Sequence, residues 1–266
     1  MSQPTATVLE TIVARTRERV SERRRVRPLE DVRAAAGAAP SRRPFAEALA
    51  RPGRINVIAE HKRRSPSRGP IREDLAPAQV ARAYERGGAI ALSVLTDEDF
   101  FGGRLGHLVE ARAATALPAL RKDFVIDAYQ VWEARATGAD AVLLIVAVLG
   151  DLELRALLAE AGAAGLDALV EVHDQKELED ALAAGAQIVG VNNRDLKTLA
   201  VNLETAISLA PRIPDEVVAV AESGIKTGAD VRRLREAGYD AFLVGEHLMS
   251  AKDPGAALQA LIEDAR

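Results

Sequence analysis

Residues 217–246, VVAVAESGIKTGADVRRLREAGYDAFLVGE, decide the fold class of this chain. Two short apolar runs, Val217–Val220 and Ala241–Val244, flank an amphipathic segment that ends at Gly238. Glycine directly after a helical pattern is typical of a helix C-terminus. The order strand, helix, strand predicts two parallel strands joined by a crossover helix.

The same unit recurs along the preceding sequence. The closing phrase around Gly238 has close counterparts around Gly138 and Gly185, so the repetition has a βα period. Eight parallel units of this kind predict an α/β protein with a (β/α)8 TIM barrel. The alternative is a doubly wound open sheet, but the glycine-rich dinucleotide turn that usually opens such a sheet is missing. The other six predicted strands are Ile55–Glu60, Ile90–Leu95, Pro118–Arg121, Ala141–Val146, Ala168–Val172 and Ile188–Val191.

The first part of the chain has a different pattern. Residues 1–50 contain apolar residues at helical spacing and no run that could join a sheet. A length of 266 residues fits a single barrel. We therefore expect one (β/α)8-barrel domain over residues 1–266, of which 1–50 form a helical N-terminal extension.

Composition narrows the possible partners. The chain has no cysteine, which excludes disulfides and thiolate metal sites, and its four histidines show no metal-binding spacing, so we expect no metal. No phosphate-binding loop of the G-x-x-x-x-G-K-[ST] type occurs, so we expect no nucleotide cofactor. The net charge of −4 disfavours a nucleic-acid partner. The longest apolar run, 141–150, is about half the length of a membrane span, so we expect a soluble cytoplasmic protein.

Polar residues follow six of the eight predicted strands. In a (β/α)8 barrel the carboxyl ends of the strands carry the active site. Because side chains alternate along a strand, Glu60 and Lys62 share a face, and Glu171 faces the interior if Leu169 does. His173 is a candidate base beside Glu171, but we expect it to face the helices in a structural role. The strand-end candidates are Glu60, Lys62, Lys122, Glu171, Asn192 and Glu222.

The last two strand ends favour a phosphate group. Ser223-Gly224 follows the seventh strand, and Gly245-Glu246 follows the eighth and leads into a short helical pattern. Loops at these two positions often bind phosphate in such barrels, because backbone N–H groups and a helix N-terminus attract anions. The expected partner is therefore a small phosphorylated molecule.

With these strand ends in view, the chain resembles the indole-3-glycerol-phosphate synthases of tryptophan biosynthesis. The resemblance covers nearly the whole chain, including the N-terminal extension. It departs from the family pattern at Arg104, Ala221 and His247. The motifs that carry it are IAEHKRRSPS (58–67), LSVLTD (92–97), FFGG (100–103), LRKDF (120–124), LVEVH (169–173), GVNNRDL (190–196), ESGI (222–225) and LVGEHLM (243–249).

The resemblance implies a carboxy-lyase that needs no cofactor. Its substrate would be 1-(2-carboxyphenylamino)-1-deoxyribulose 5-phosphate, which undergoes ring closure, decarboxylation and dehydration to indole-3-glycerol phosphate. The aromatic amine supplies the electrons for ring closure, and the protein supplies acids and a base. A monomer or weak oligomer is expected.

The resemblance also implies residue roles. Lys122 would be the acid of ring closure, and nearby cations could lower the pKa of such a lysine. Glu171 and Lys62 would serve the dehydration, with acid and base unassigned, and Glu60 would orient Lys62. Asn192 and Glu222 would position the substrate. The binding residues would be Ser65 in a covering loop, Phe101, Phe124 and Leu144 as apolar walls, Arg194 at the carboxylate, and Lys62, Ser223, Gly224, Gly245 and Glu246 at the phosphate.

Two alternatives remain at this stage. One is a related phosphate-binding barrel isomerase, such as phosphoribosylanthranilate isomerase. That class uses a cysteine as an acid–base partner, and this chain has none. The other is an inactive barrel that only binds phosphate, which the intact set of strand-end residues argues against.

Overall fold

The computed structural model describes residues 7–66, 68–196 and 198–266. Eight parallel strands form a closed barrel, in which each strand pairs with the next and the last pairs with the first. Asn56 and Ala241 are register partners where the barrel closes. All eight predicted strands are confirmed. Their bounds are β1 Asn56–His61, β2 Ala91–Leu95, β3 Ala119–Lys122, β4 Ala141–Ile145, β5 Asp167–Val172, β6 Ile188–Asn192, β7 Val218–Glu222 and β8 Ala241–Val244.

Helices precede the barrel and connect its strands. Three of them, α1 Val8–Val26, α2 Leu29–Gly37 and α3 Phe45–Leu49, come before β1. A side-chain capping box between Thr7 and Glu10 defines the start of α1. The remaining α-helices are α4 Pro77–Arg86, α5 Leu105–Ala113, α6 Ala128–Ala136, α7 Asp151–Ala163, α8 Gln175–Ala183, α9 Glu204–Leu209, α10 Gly228–Ala237, α11 Glu246–Met249 and α12 Pro254–Asp264. Among the described residues, no helix combines the length and apolar character of a membrane span.

A small hairpin in the loop after β1 was not predicted. Its strands, Arg64–Ser65 and Gly69–Pro70, pair in antiparallel fashion. Two-residue strands leave no periodic signal in a sequence, which explains why the apolar pattern missed them.

The barrel interior fixes which strand residues can reach the site. Ile58 and Leu169 belong to the cluster that fills the barrel, and Phe45 and Leu49 of α3 belong to the same cluster. The side chains two residues farther along β1 and β5, those of Glu60 and Glu171, are therefore directed along the same interior face. This confirms the alternation predicted for Glu171.

Ion pairs attach the N-terminal helix to the barrel loops. Arg19 Nη2 lies 2.7 Å from Asp99 Oδ1 in the loop after β2. Arg23 Nη1 lies 3.0 Å from Glu133 Oε2 on α6, and Arg24 Nη2 lies 2.7 Å from Asp127 Oδ1. The extension is therefore held beside the loops that follow β2 and β3.

Arg121 forms a fully buried ionic network next to the site. Its guanidinium lies 2.9 Å from Asp123 Oδ2 and 3.0 Å from Glu133 Oε2, and its Nη1 donates to the carbonyl of Gln130 at 2.8 Å. The side chain has no exposed surface. It precedes Lys122, so this network fixes the end of β3.

We expect Arg121→Leu to lower the free energy of unfolding by about 3–5 kcal/mol, because it leaves the buried carboxylate of Asp123 without its cation. Urea denaturation followed by circular dichroism measures this loss. Arg104→Leu is the matched control, since Arg104 forms an exposed ion pair with Glu110 and should change stability by less than about 1 kcal/mol. Equal losses in both variants would contradict the network's role.

Candidate active site

A cavity of about 710 Å³ opens at the carboxyl ends of the strands. It contains all six strand-end candidates, which confirms that they come together in space although they derive from different strands. It also contains most of the predicted binding residues. The predicted residues that line it are Glu60, Lys62, Lys122, Glu171, Asn192, Glu222, Phe101, Phe124, Arg194, Ser223, Gly224, Gly245 and Glu246.

Two predicted binding residues do not line this cavity. Leu144 is fully buried and packs in the cluster between the strands and the helices. Its neighbours Leu143 and Ile145 face the cavity instead, because side chains alternate along β4. Ser65 lies in the hairpin after β1, where it is 6% exposed, and is likewise absent from the cavity wall. The apolar wall is therefore formed by Leu143 and Ile145 rather than by Leu144.

Lys122 lies at the centre of a buried charge cluster. Its Nζ is 3.3 Å from Glu171 Oε2 and 3.5 Å from Glu222 Oε2. Burial alone would lower the pKa of Lys122, but the carboxylates of Glu171, Glu222 and Glu60 raise it above its ordinary value. The expectation that cations lower this pKa is wrong for Lys122, because carboxylates surround the ammonium.

Glu222 differs from the other buried carboxylates. It is 1% exposed, and neither of its oxygens has a hydrogen-bond partner among the described residues. Burial raises the pKa of Glu222 to about 8. Lys122 lowers this pKa, but the carboxylates of Glu171 and Glu60 offset part of its effect. Glu222 can therefore hold a proton near neutral pH.

Glu60 and Lys62 form the predicted pair. Lys62 Nζ lies 2.8 Å from Glu60 Oε1, and the Glu60 side chain is almost fully buried. Burial would raise the pKa of Glu60, but Lys62 and Lys122 lower it overall. The carboxylate of Glu60 therefore fixes the ammonium of Lys62 at the mouth of the barrel.

Two glycines make room for these carboxylates. A Cβ atom at Gly190 on β6 would lie 2.1 Å from Glu222 Oε1. A Cβ atom at Gly245 would lie 2.2 Å from Glu60 Oε1. Both distances are far below van der Waals contact. The carboxylates can therefore take their present positions only because these two residues have no Cβ atom.

We expect Gly190→Ala to lower kcat by about 10²-fold, because a displacement of catalytic groups of about 1 Å can cost that much. The added methyl would force Glu222 away from Lys122. Steady-state kinetics measures the change. Gly162→Ala is the matched control because a Cβ at Gly162 meets no atom within 4 Å. Equal kcat values for the Gly190 variant and the wild type would contradict this interpretation.

The predicted phosphate end has unusual backbone geometry. Ser223 adopts a left-handed conformation with φ 66°, and Gly224 follows with φ 82°. Non-glycine residues rarely adopt this conformation, and such strain is concentrated at functional sites. Gly245 precedes the four-residue helix α11, whose first residue is Glu246. His247, one of the departures from the family pattern, also lines the cavity.

The guanidinium of Arg194 contacts two other residues of the protein in this structure. Its Nη1 donates to the carbonyl of Leu199 at 3.0 Å, and its Nη2 lies 3.4 Å from Glu246 Oε2. Arg68 Nη1 lies 3.1 Å from the other oxygen of Glu246 and was not among the predicted residues. The carboxylate of Glu246 therefore links loops from three parts of the barrel. Asn192 is tied to the same loop, since its Oδ1 accepts from the backbone N–H of Arg194 at 3.0 Å.

The position predicted for His173 is wrong. Its Nε2 lies 3.3 Å from Glu171 Oε1, and its Nδ1 lies 3.0 Å from Glu177 Oε2. Residues two apart along a strand share a face, so the alternation that directs Glu171 inwards also directs His173 to that side, and the prediction misapplied the rule. His173 therefore contacts a site residue.

No group of three or more potential metal-ligating histidine or carboxylate side chains is arranged for a metal within residues 7–66, 68–196 and 198–266. The site is built instead from ammonium, carboxyl and backbone N–H groups. These groups can bind anions and transfer protons.

Comparisons with known proteins agree with the motifs. The family model described as indole-3-glycerol phosphate synthase matches residues 9–261. The chain is 51% identical over 255 residues to indole-3-glycerol phosphate synthase 2 of Streptomyces coelicolor, covering 96% of this chain and 98% of the relative. It is 52% identical over 259 residues to indole-3-glycerol phosphate synthase of Azoarcus sp., covering 96% and 98%.

A solved structure shares the fold at low identity. Thiamine phosphate pyrophosphorylase from Pyrococcus furiosus aligns with a TM-score of 0.60 and 19% identity, covering 83% of this chain and 96% of that one. At this identity the likeness concerns the barrel alone.

Proposed function

Because the chain belongs to the indole-3-glycerol phosphate synthase family, we propose that the barrel cavity is its catalytic site and Lys122 the acid of ring closure. The activity is the conversion of 1-(2-carboxyphenylamino)-1-deoxyribulose 5-phosphate to indole-3-glycerol phosphate. The observation that carries the proposal is the position of Lys122 Nζ, 3.3 Å and 3.5 Å from two buried carboxyl groups.

Ring closure needs a proton donor at the substrate ketone. The arylamine nitrogen pushes electrons into the ring, and the ring carbon bearing the carboxylate attacks the ketone carbon. As the C–C bond forms, the ammonium of Lys122 donates a proton to the ketone oxygen, which becomes a hydroxyl. The raised pKa of Lys122 keeps it protonated at neutral pH. Glu222, whose Oε2 lies 3.5 Å from Lys122 Nζ, can then return a proton to the neutral amine of Lys122.

Decarboxylation then requires no further acid. The C–C bond to the carboxylate breaks, CO2 leaves, and its electron pair restores the aromatic ring while the nitrogen regains its lone pair. The restored aromaticity drives this step. The apolar side chains of Leu143, Ile145, Phe101 and Phe124 line the cavity and would face the ring.

Dehydration uses one acid and one base. Burial would raise the pKa of Glu171, but Lys122 and His173 hold it below its ordinary range, so Glu171 is a carboxylate at neutral pH. We assign Glu171 as the base that removes a proton from the CH2 carbon next to the nitrogen in the new five-membered ring. Lys62, held by Glu60 at 2.8 Å, is assigned as the acid that protonates the departing hydroxyl.

Binding is assigned to the remaining polar groups. Ser223, Gly224, Gly245 and the backbone N–H of Glu246 would receive the phosphate, together with Lys62. Arg194 would bind the substrate carboxylate after its contact with the carboxylate of Glu246 breaks. Asn192 and Glu222 would hold the hydroxyl groups and the amine. Ser65 would act through closure of the loop after β1.

The wider assignments are also proposals. Residues 1–266 are proposed to act as one barrel domain with residues 1–50 as its extension, in the cytoplasm and as a monomer. One phosphorylated substrate would be the partner, without cofactor, nucleic acid or membrane. Sedimentation velocity of the purified protein tests the oligomeric state.

Indole fluorescence tests the catalytic proposal. Purified protein is incubated with 1-(2-carboxyphenylamino)-1-deoxyribulose 5-phosphate in the presence of a chelator. Growing indole emission supports a metal-free reaction in this cavity. Binding of the substrate without emission would indicate an inactive barrel, and no binding would contradict the phosphate site.

A further inference from the structure

We propose that His173 is a positioning residue that holds Glu171 as an oriented carboxylate by bridging it to Glu177. The inference rests on the proposed role of Glu171 as the base of dehydration. His173 itself is not assigned a contact with substrate, and it does not line the cavity.

Both ring nitrogens of His173 face carboxylate oxygens. Nε2 is 3.3 Å from Glu171 Oε1, and Nδ1 is 3.0 Å from Glu177 Oε2. A neutral imidazole has a single N–H donor, so it could satisfy only one of these carboxylates. Nδ1 is hydrogen-bonded to Glu177, whereas Nε2 contacts Glu171 at ion-pair distance without an aligned hydrogen bond, and two carboxylates within 3.3 Å of the ring favour the imidazolium form.

Glu177 is fixed independently of the imidazole. Its Oε2 accepts from the backbone N–H of His173 at 2.8 Å, and Glu177 lies in the first turn of α8. An acidic side chain is stabilised at a helix N-terminus by the exposed N–H groups. The anchor of the bridge is thus part of the helix start, which Asp174 caps.

The groups around His173 come from two elements. Glu171 on β5 and Glu177 on α8 are the charged side chains that raise the pKa of His173. Burial alone would lower this pKa, but the two carboxylates raise it to about 10. Lys122 lies behind Glu171, on the opposite carboxylate oxygen. The imidazolium therefore persists through the neutral range.

The bridge explains why two neighbouring acids differ. Glu171 has one cation at each oxygen, with Lys122 at Oε2 and His173 at Oε1, each 3.3 Å away. Glu222 shares Lys122 but has no ion pair with a second cation within the described residues. The carboxyl group of Glu171 is thereby kept ionised and fixed in rotation, whereas that of Glu222 can keep its proton.

The test is the pH dependence of kcat in His173→Gln and Glu177→Gln. The first variant removes the cation, and the second removes only its anchor. The matched control is Glu179→Gln, because Glu179 is an exposed glutamate of the same helix whose carboxylate accepts a hydrogen bond from Gln175 Nε2 at 2.8 Å. Dividing each kcat by that of the wild type at the same pH cancels the titration of the substrate.

We expect the kcat ratio of His173→Gln to fall about threefold or more from pH 8 to pH 5, because loss of the cation lets burial raise the pKa of Glu171. Glu177→Gln should show a smaller fall in the same direction, KM should change less than kcat, and Glu179→Gln should show a constant ratio.

Ratios that are constant with pH in both bridge variants would overturn the proposal, even if kcat is low, because a structural role alone predicts a uniform loss. If His173→Gln does not fold, Glu177→Gln decides the question by itself. An inactive wild type would instead contradict the proposed function, so the two failures are distinguishable.

Discussion

Lys122→Met is expected to lower kcat/KM by about 10³-fold or more, at the upper part of the range for loss of a general acid. Methionine retains an unbranched side chain of similar length but cannot donate a proton to the ketone oxygen. It also leaves Glu171 and Glu222 buried without their shared ammonium, which disturbs the base as well. Indole fluorescence at several substrate concentrations measures kcat/KM.

The matched control for this variant is Lys176→Met. Lys176 is an exposed lysine on α8 that pairs with Asp180 at 2.5 Å, outside the cavity. Its replacement should leave kcat/KM within about twofold of the wild type, because exposed ion pairs contribute little. A Lys122→Met enzyme that retains more than a tenth of the wild-type kcat/KM would exclude Lys122 as the acid.

Glu171→Gln is expected to lower kcat by about 10²–10⁴-fold, because an amide cannot accept the proton that leaves the CH2 carbon during dehydration. Glutamine has nearly the same shape, so substrate binding and KM should change much less. The substitution removes one carboxylate partner from Lys122 and one from His173. Steady-state kinetics separates the effects on kcat and KM.

Glu179→Gln again provides the control, as an isosteric change on exposed surface. A change confined to KM in Glu171→Gln would assign Glu171 to binding rather than to proton transfer. Full activity would contradict any role of Glu171 in the chemistry.

The eight strands could be predicted because each is a short apolar run, six of them are placed before polar residues, and several follow a helix-ending glycine. The inward direction of Glu171 followed from the alternation with Leu169. The same rule failed for Leu144, since β4 is buried on both faces and its apolar residues do not reveal which face is interior. Whether Leu143 or Leu144 meets the substrate depends on packing around the closed barrel.

Other features depend on contacts between distant parts of the chain. The contact of Arg68 with Glu246 joins the first and last βα loops of the barrel. The raised pKa of Glu222 results from burial together with carboxylates on other strands. Neither of these effects has a local sequence signal, because each needs the three-dimensional arrangement.

The most direct test of the proposed chemistry measures CO2 release and indole formation in the same first turnover of Glu171→Gln and Lys122→Met. Because ring closure precedes loss of CO2, we predict that Lys122→Met slows both products equally. We predict that Glu171→Gln releases about one CO2 per site well before indole appears, because dehydration is the impaired step. Loss of both products in parallel in Glu171→Gln, or CO2 release without indole in Lys122→Met, would contradict the assigned roles.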